Sequence, residues 1–261
     1  MLNFDEEVWV VTGANRGIGL EYVQQILSLP NSKVVAAARS PATAAHLQDL
    51  QKQHEGRLTL VALDLSETST AQAAAEETAK RHDHVDYLIN NAGVLGKFAQ
   101  VVDQELEDLK NVLMVNVVGT YAVSKAFLPL LRKGTKKVIV NISSDAGCHA
   151  QNASFIHSEK PSEGGVGLSY RTSKAALNME TTVLANGLKK EKFTVIAVHP
   201  GFVITDMGNE AADLASTNQQ EGYGPTMPAS ESVSSMLGII KNLTFAVSGS
   251  YMQWDGVTMP W

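Results

Sequence analysis

Short, continuously apolar runs rich in β-branched residues recur along the chain at Val8–Thr12, Lys33–Ala38, Leu58–Leu63, Val85–Asn90, Val138–Ile142, Thr194–Val198 and Phe245–Met252. Most of the intervals between them carry apolar residues at helical spacing. A strand that is apolar at every position, rather than at alternate ones, has both faces covered. The pattern predicts an α/β fold: a doubly wound parallel sheet of about seven strands with helices on both faces.

Punctuation supports the alternation. Ser40-Pro41 opens one helix, Ser66 with Ser69 and Thr70 opens an Ala-rich one, and Pro30-Asn31 and Gly134 follow helix ends. No internal repeat and no linker rich in Gly, Pro and Ser divides the chain, so residues 1–261 read as one domain. Two stretches, 145–168 and 205–228, escape the alternation and read as long loops after strands. In open α/β sheets ligands sit at that edge, so these loops are expected to wall the substrate site.

Composition narrows the partners. The 261 residues are 44% hydrophobic and carry a formal net charge of −6, with acids and bases interspersed. No basic patch marks a nucleic-acid or anionic-membrane surface, so a small-molecule partner is expected. Cys148 is the single cysteine, which excludes an intramolecular disulfide and a CxxC site. No ligand set supports a metal. The acidic start, Met1-Leu-Asn-Phe-Asp-Glu-Glu, is unlike an export signal, and no uninterrupted apolar run reaches the roughly 18–20 residues that span a bilayer. A cytoplasmic location is the expectation.

The first strand runs straight into Thr12-Gly13-Ala14-Asn15-Arg16-Gly17-Ile18-Gly19, followed by a helical pattern at Leu20, Val23, Ile26 and Leu27. Glycines there permit a tight turn and close backbone approach, and the helix N-terminus offers unpaired N–H groups to a pyrophosphate. A dinucleotide site is predicted. The second strand ends in Ala38-Arg39, where a protein selecting NAD usually presents an acid to the ribose. Arg39 and Arg16 instead offer two guanidiniums to a 2′-phosphate, which favours NADP(H). Asp64 and Leu65 close the third strand, placed for the adenine. Asn90-Asn91-Ala92-Gly93 closes the fourth, where small residues let the chain pass under the ribose and Asn91 offers a backbone or amide contact. Each also reads as a simple turn signal.

Tyr170 and Lys174 stand four residues apart, hence on one face of a helix. An ammonium near a phenol stabilises the phenolate and lets tyrosine exchange a proton near neutrality. Alone, the pair is equally an amphipathic face with a solvated charge.

Taken in order, Thr12-Gly-Ala-Asn-Arg-Gly-Ile-Gly19, Asp64, Asn90-Asn-Ala-Gly93, Asn116, Ser143-Ser144, Tyr170-x-x-x-Lys174 and Pro200-Gly201 resemble the short-chain dehydrogenase/reductase family across almost the whole chain. The ending Asp255–Trp261 looks most like its Sniffer/C-factor-type carbonyl reductases. The resemblance implies a Rossmann fold and a catalytic set of Asn116, Ser144, Tyr170 and Lys174. In that set Tyr170 protonates the carbonyl oxygen, Lys174 tunes it and binds the nicotinamide ribose, and Ser144 hydrogen-bonds the substrate oxygen. Asn116 would hold a water that relays protons through Lys174. Ser144 is preferred to Ser143 because Ser144-Asp-Ala-Gly147 fits the family's Ser-x-x-Gly register. Pro200, Val203 and Thr205 would meet the nicotinamide end of the cofactor.

The function implied is reduction of an apolar ketone, aldehyde or quinone with NADPH. The alternatives are alcohol oxidation by the same groups, or a non-catalytic dinucleotide-sensing signalling protein. A homodimer is compatible with the family. Ser144 and Tyr170 lie about twice as far apart as the family's usual spacing, so residues 148–168 form an added segment at the mouth of the site. Phe155, Phe202, Met207, Tyr223 and Met227 in the two loop stretches suggest apolar walls.

Overall fold

The computed structural model describes residues 6–157, 165–217 and 224–261. Strands β1 (Glu7–Thr12), β2 (Ser32–Ala38), β3 (Leu58–Ala62), β4 (Tyr87–Asn90), β5 (Val138–Ile142), β6 (Thr194–His199) and β9 (Tyr251–Gln253) form one sheet in the order β3-β2-β1-β4-β5-β6-β9. Every pairing in it is parallel. The expected architecture is the observed one, with one strand misjudged. Phe245–Val247 forms a 3₁₀ turn, and only Tyr251–Gln253 pairs with the sheet.

Continuous apolarity along the strands is explained by burial on both sides. In β1, Trp9 and Val11 enter a core packed by α1 (Gly17–Ser28) and α9 (Ala229–Lys241), with Tyr22, Ile26, Met236 and Ile240. Val8 and Val10 enter the opposite core, closed by α3 (Ser69–Ala79), α5 (Thr120–Lys133) and α7 (Leu168–Leu188), with Ala74, Phe127, Leu131 and Phe193. Burying such side chains is worth about 1.5–3 kcal/mol each before entropy is charged against it, so both faces contribute to the same fold.

Helix α4 (Leu106–Leu113) continues without a break through a wider π-type turn, Met114–Gly119, into α5. The resulting helix, Leu106–Lys133, is long and apolar enough to cross a membrane by length and composition, which the sequence runs did not reveal because polar residues interrupt them. Here its apolar side lies on the sheet and on Ala-rich α3: Val123, Phe127 and Leu131 are fully buried.

Both stretches read as loops contain helices. The first holds α6 (His149–Ser154) and a 3₁₀ turn at Phe155–His157; residues 158–164 lie outside the described residues. The second holds α8 (Asp206–Thr217), framed by a small parallel pair, β7 (Val203–Ile204) with β8 (Met227–Pro228). Thr205 starts α8 as its cap, its Oγ1 accepting from Gly208 N at 3.1 Å. Thr-Asp-Met-Gly was the overlooked start signal. Tyr223, expected to line the pocket, lies outside the described residues.

Candidate active site

Because the strands are parallel, the C-terminal ends of β1 to β6 share one edge, and the strand order reverses between β1 and β4, where such sheets open a crevice. A cleft of about 530 Å³ lies there. Among the sequence-predicted residues, Gly13, Asn15, Arg16, Gly17, Ile18, Arg39, Asp64, Leu65, Asn91, Ala92, Gly93, Tyr170, Lys174, Pro200 and Thr205 line it. Gly19, Val203, Asn116 and Ser144 do not.

Gly19 serves the cleft from beneath. A Cβ on it would overlap the Gly13 carbonyl, and Gly13 itself has φ +65°, a left-handed conformation that other residues disfavour. The turn is therefore built around bare backbone, which leaves a cradle for a pyrophosphate at the start of α1. Asn91 braces it: its Nδ2 donates to the Thr12 carbonyl at 2.9 Å, while Thr12 Oγ1 accepts from Asn91 N and Ala92 N, each at 3.0 Å. The Asn91 amide nitrogen thus ties β4 to the glycine turn, while the residue lines the cleft. Val203 is likewise internal, buried in the β7–β8 pair.

At the far end of β2 and β3, Arg39 is exposed on the cleft wall, close enough to contribute to holding the Asp64 carboxyl below its usual range. The larger cause is Ser66, whose Oγ and backbone N donate to Asp64 Oδ1 at 2.7 and 3.0 Å. Arg16 was expected to converge with Arg39. Its guanidinium is instead turned to Asp206 on α8, Nη1 to Oδ2 at 3.0 Å.

At the chemical end, α7 carries Tyr170 and Lys174 on the cleft side. The Lys174 ammonium lies 5.6 Å from the centre of the Tyr170 ring and donates to the Ile142 carbonyl at 2.8 Å. Only 5% of the residue is exposed, and burial pushes its pKa down to about 8. Asn116 sits in the π-type turn behind this pair. Its Nδ2 donates to the Val94 carbonyl at 2.9 Å and to Ser173 Oγ at 3.0 Å, and its Oδ1 accepts from Val94 N at 2.8 Å. Both amide hydrogens are thus committed to the chain itself. Ser173 Oγ in turn donates to the Tyr170 carbonyl at 2.7 Å. Ser173, which no motif singled out, therefore couples the Gly93–Val94 loop to the Tyr170 turn.

The two adjacent serines divide. Ser143 borders the cleft, yet its hydroxyl is held inside by Asn178, donating to Oδ1 at 2.6 Å, and the residue is buried. Ser144 remains half-buried at the start of the Asp145–Gly147 turn, its Oγ donating to Asp145 Oδ1 at 3.0 Å and accepting from Ala146 N at 3.2 Å. Val94, Val115, Asp206 and Met207 also line the cleft. Val94, Val115 and Asp206 had no predicted role, although each adjoins a residue that did. Among the described residues no cluster of His, Cys, Asp and Glu could hold a metal ion.

An oxidoreductase of Schizosaccharomyces pombe is 32% identical over 259 residues, 98% of each chain. The NADPH-bound carbonyl reductase from chicken fatty liver superposes with a TM-score of 0.84 at 33% identity, over 98% of this chain and 94% of that one. The carbonyl reductase Sniffer of Drosophila melanogaster gives 0.83 at 27% identity, over 98% and 99%. The sequence profile for short chain dehydrogenase matches residues 7–215, a span that takes in the glycine turn, the α7 pair and the start of α8. A match of that length settles the class: the chain belongs to the short-chain dehydrogenase family of oxidoreductases.

Proposed function

We propose that this protein reduces a ketone, aldehyde or quinone to the alcohol with NADPH, Tyr170 acting as the general acid. The observation that carries the reading is the buried Lys174 ammonium, 5.6 Å from the Tyr170 ring in the wall of a cleft whose other end is a glycine turn. Bound in that cleft, the nicotinamide supplies the hydride.

The glycine turn and the N-terminus of α1 would hold the pyrophosphate. Arg39, and Arg16 where it is released from Asp206, would provide the positive charge that a 2′-phosphate requires, with Asp64 at the adenine. Tyr170 donates its proton to the carbonyl oxygen as negative charge develops there, and the neighbouring Lys174 ammonium stabilises the phenolate left behind. Ser144, on the turn after β5, turns its hydroxyl from Asp145 Oδ1 to the same oxygen when substrate is bound. Asn116 and Ser173 hold the Tyr170 turn against the Gly93–Val94 loop. Asn91 secures the glycine turn. Apolar side chains at Val94 and Met207 favour an apolar substrate.

The test is loss of NADPH absorbance, with NADH in parallel, across aromatic aldehydes, ortho- and para-quinones, ketosteroids and aliphatic ketones. The expected result is turnover that prefers NADPH and falls about 10²-fold or more in Tyr170→Phe, with NADPH affinity kept. A Tyr170→Phe variant as fast as the wild type would overturn the mechanism.

A further inference from the structure

The turn that presents Ser144 is held from its side by a residue outside the family's catalytic set. His199 ends β6; its side chain is only 12% exposed, and its Nδ1 accepts from the Asp145 backbone N–H at 3.2 Å. An acceptor at Nδ1 fixes the neutral tautomer with the proton on Nε2. Burial, opposed by the Asp145 carboxylate, keeps the ring below its ordinary pKa, so this tautomer persists at neutral pH.

Asp145 is tied to Ser144 on its other side. Its Oδ1 accepts from the Ser144 hydroxyl at 3.0 Å and from Ala146 N at 2.8 Å, and lies 3.8 Å from His199 Nδ1. The turn is also pressed against the catalytic helix. A Cβ on Gly147 would come within 2.6 Å of the Lys174 backbone carbonyl carbon. Ser144 therefore stands on a short turn held by α7, by Asn152 Nδ2, which donates to the Ala146 carbonyl at 2.8 Å, and by β6, where Ser143 N donates to the Val198 carbonyl at 2.8 Å before Ser144 and the His199 imidazole takes the Asp145 N–H after it.

We propose that His199 is a positioning residue: by accepting from the Asp145 N–H it sets the turn that aims the Ser144 hydroxyl at the substrate carbonyl oxygen. The proposal rests on the reading of Ser144 given under the proposed function. It assigns His199 no contact with substrate or cofactor and no proton transfer of its own.

The test measures kcat and KM for 9,10-phenanthrenequinone at saturating NADPH, with NADPH affinity measured separately by fluorescence. His199→Ala removes the acceptor, whereas His199→Asn places an amide oxygen close to where Nδ1 stands. The expected losses in kcat are about 10²-fold for Ser144→Ala and about 10-fold for His199→Ala, with recovery in His199→Asn and unchanged NADPH affinity. The double variant should be no slower than Ser144→Ala alone, because both changes act through one hydroxyl.

The same bond can be cut from its donor side if His199→Ala does not fold. Asp145 opens its turn after an extended Ser144 (φ −158°, ψ 148°), a position that tolerates proline. Asp145→Pro, which lacks the N–H, should be slower than Asp145→Ala, which keeps it. Multiplying losses in the double variant, or equal rates for Asp145→Pro and Asp145→Ala, would overturn the role of His199 while leaving that of Ser144 intact. A Ser144→Ala enzyme as fast as the wild type would instead remove the Ser144 reading, and the positioning role with it.

Discussion

Arg16 and Asp206 form an ion pair, Nη1 to Oδ2 at 3.0 Å, that joins the glycine turn after β1 to the first turn of α8. Both side chains are exposed and both line the cleft. An exposed pair contributes little to stability, so its consequence lies in binding. Asp206 competes for the guanidinium that a 2′-phosphate would use. Asp206→Asn is expected to tighten NADPH about 3- to 10-fold and leave NADH unchanged, measured by calorimetric titration. Weaker NADPH binding would show that Asp206 holds Arg16 in place rather than competing for it.

Arg39 carries the complementary prediction. It lines the cleft close enough to Asp64 to act on its carboxyl, yet among the described residues it forms no ion pair. Arg39→Asp reverses the charge where the phosphate is expected, so NADPH affinity should fall by about 10²-fold and NADH affinity by much less. Equal losses for both cofactors would remove the basis for assigning NADP(H).

The sheet was legible because β1, β2 and β5 are apolar on both faces, and the cofactor end because a glycine turn needs backbone freedom at Gly13 and the absence of a Cβ at Gly19. What stayed hidden was set by tertiary contact. The side-chain amides of Asn91 and Asn116 close gaps between β4, the glycine turn and α7, and no local pattern records where an amide points. His199 and Ser173 were missed for the same reason: each acts on a neighbour distant in sequence. Helix α8 was missed because its cap, Thr205, reads equally as a loop residue.

Lys174 should give opposite pH responses in activity and stability. Its pKa is pushed down to about 8 against an ordinary value of 10.5, by burial. The ammonium form that assists Tyr170 is lost as pH rises through about 8, so carbonyl reduction should decline there. Stability moves the other way: between about 8 and 10.5 the unfolded chain binds the extra proton, and the penalty for a buried charge disappears. Relative to Lys174→Met, the cofactor-free wild type should gain melting temperature from pH 8 to pH 10. A constant difference would mean that Lys174 is not desolvated.

Glu180 on α7 offers a stability test apart from the cleft. Both carboxylate oxygens are buried without a hydrogen-bond partner among the described residues, and burial pushes the pKa up to about 8 from 4.5. At pH 7 the folded chain keeps this carboxyl protonated, whereas in the unfolded chain it is ionised. The folded state thus binds more protons between about 4.5 and 8, and the stability contributed by this group is full at low pH and lost as pH rises through that window. Glu180→Gln keeps the shape and abolishes the titration. Its melting temperature should match the wild type near pH 4, exceed it by a growing margin up to about pH 8, and hold that margin above. Parallel melting curves across the range would mean that the carboxylate is paired in solution, and that the α7 face bearing it is covered by a group that satisfies it.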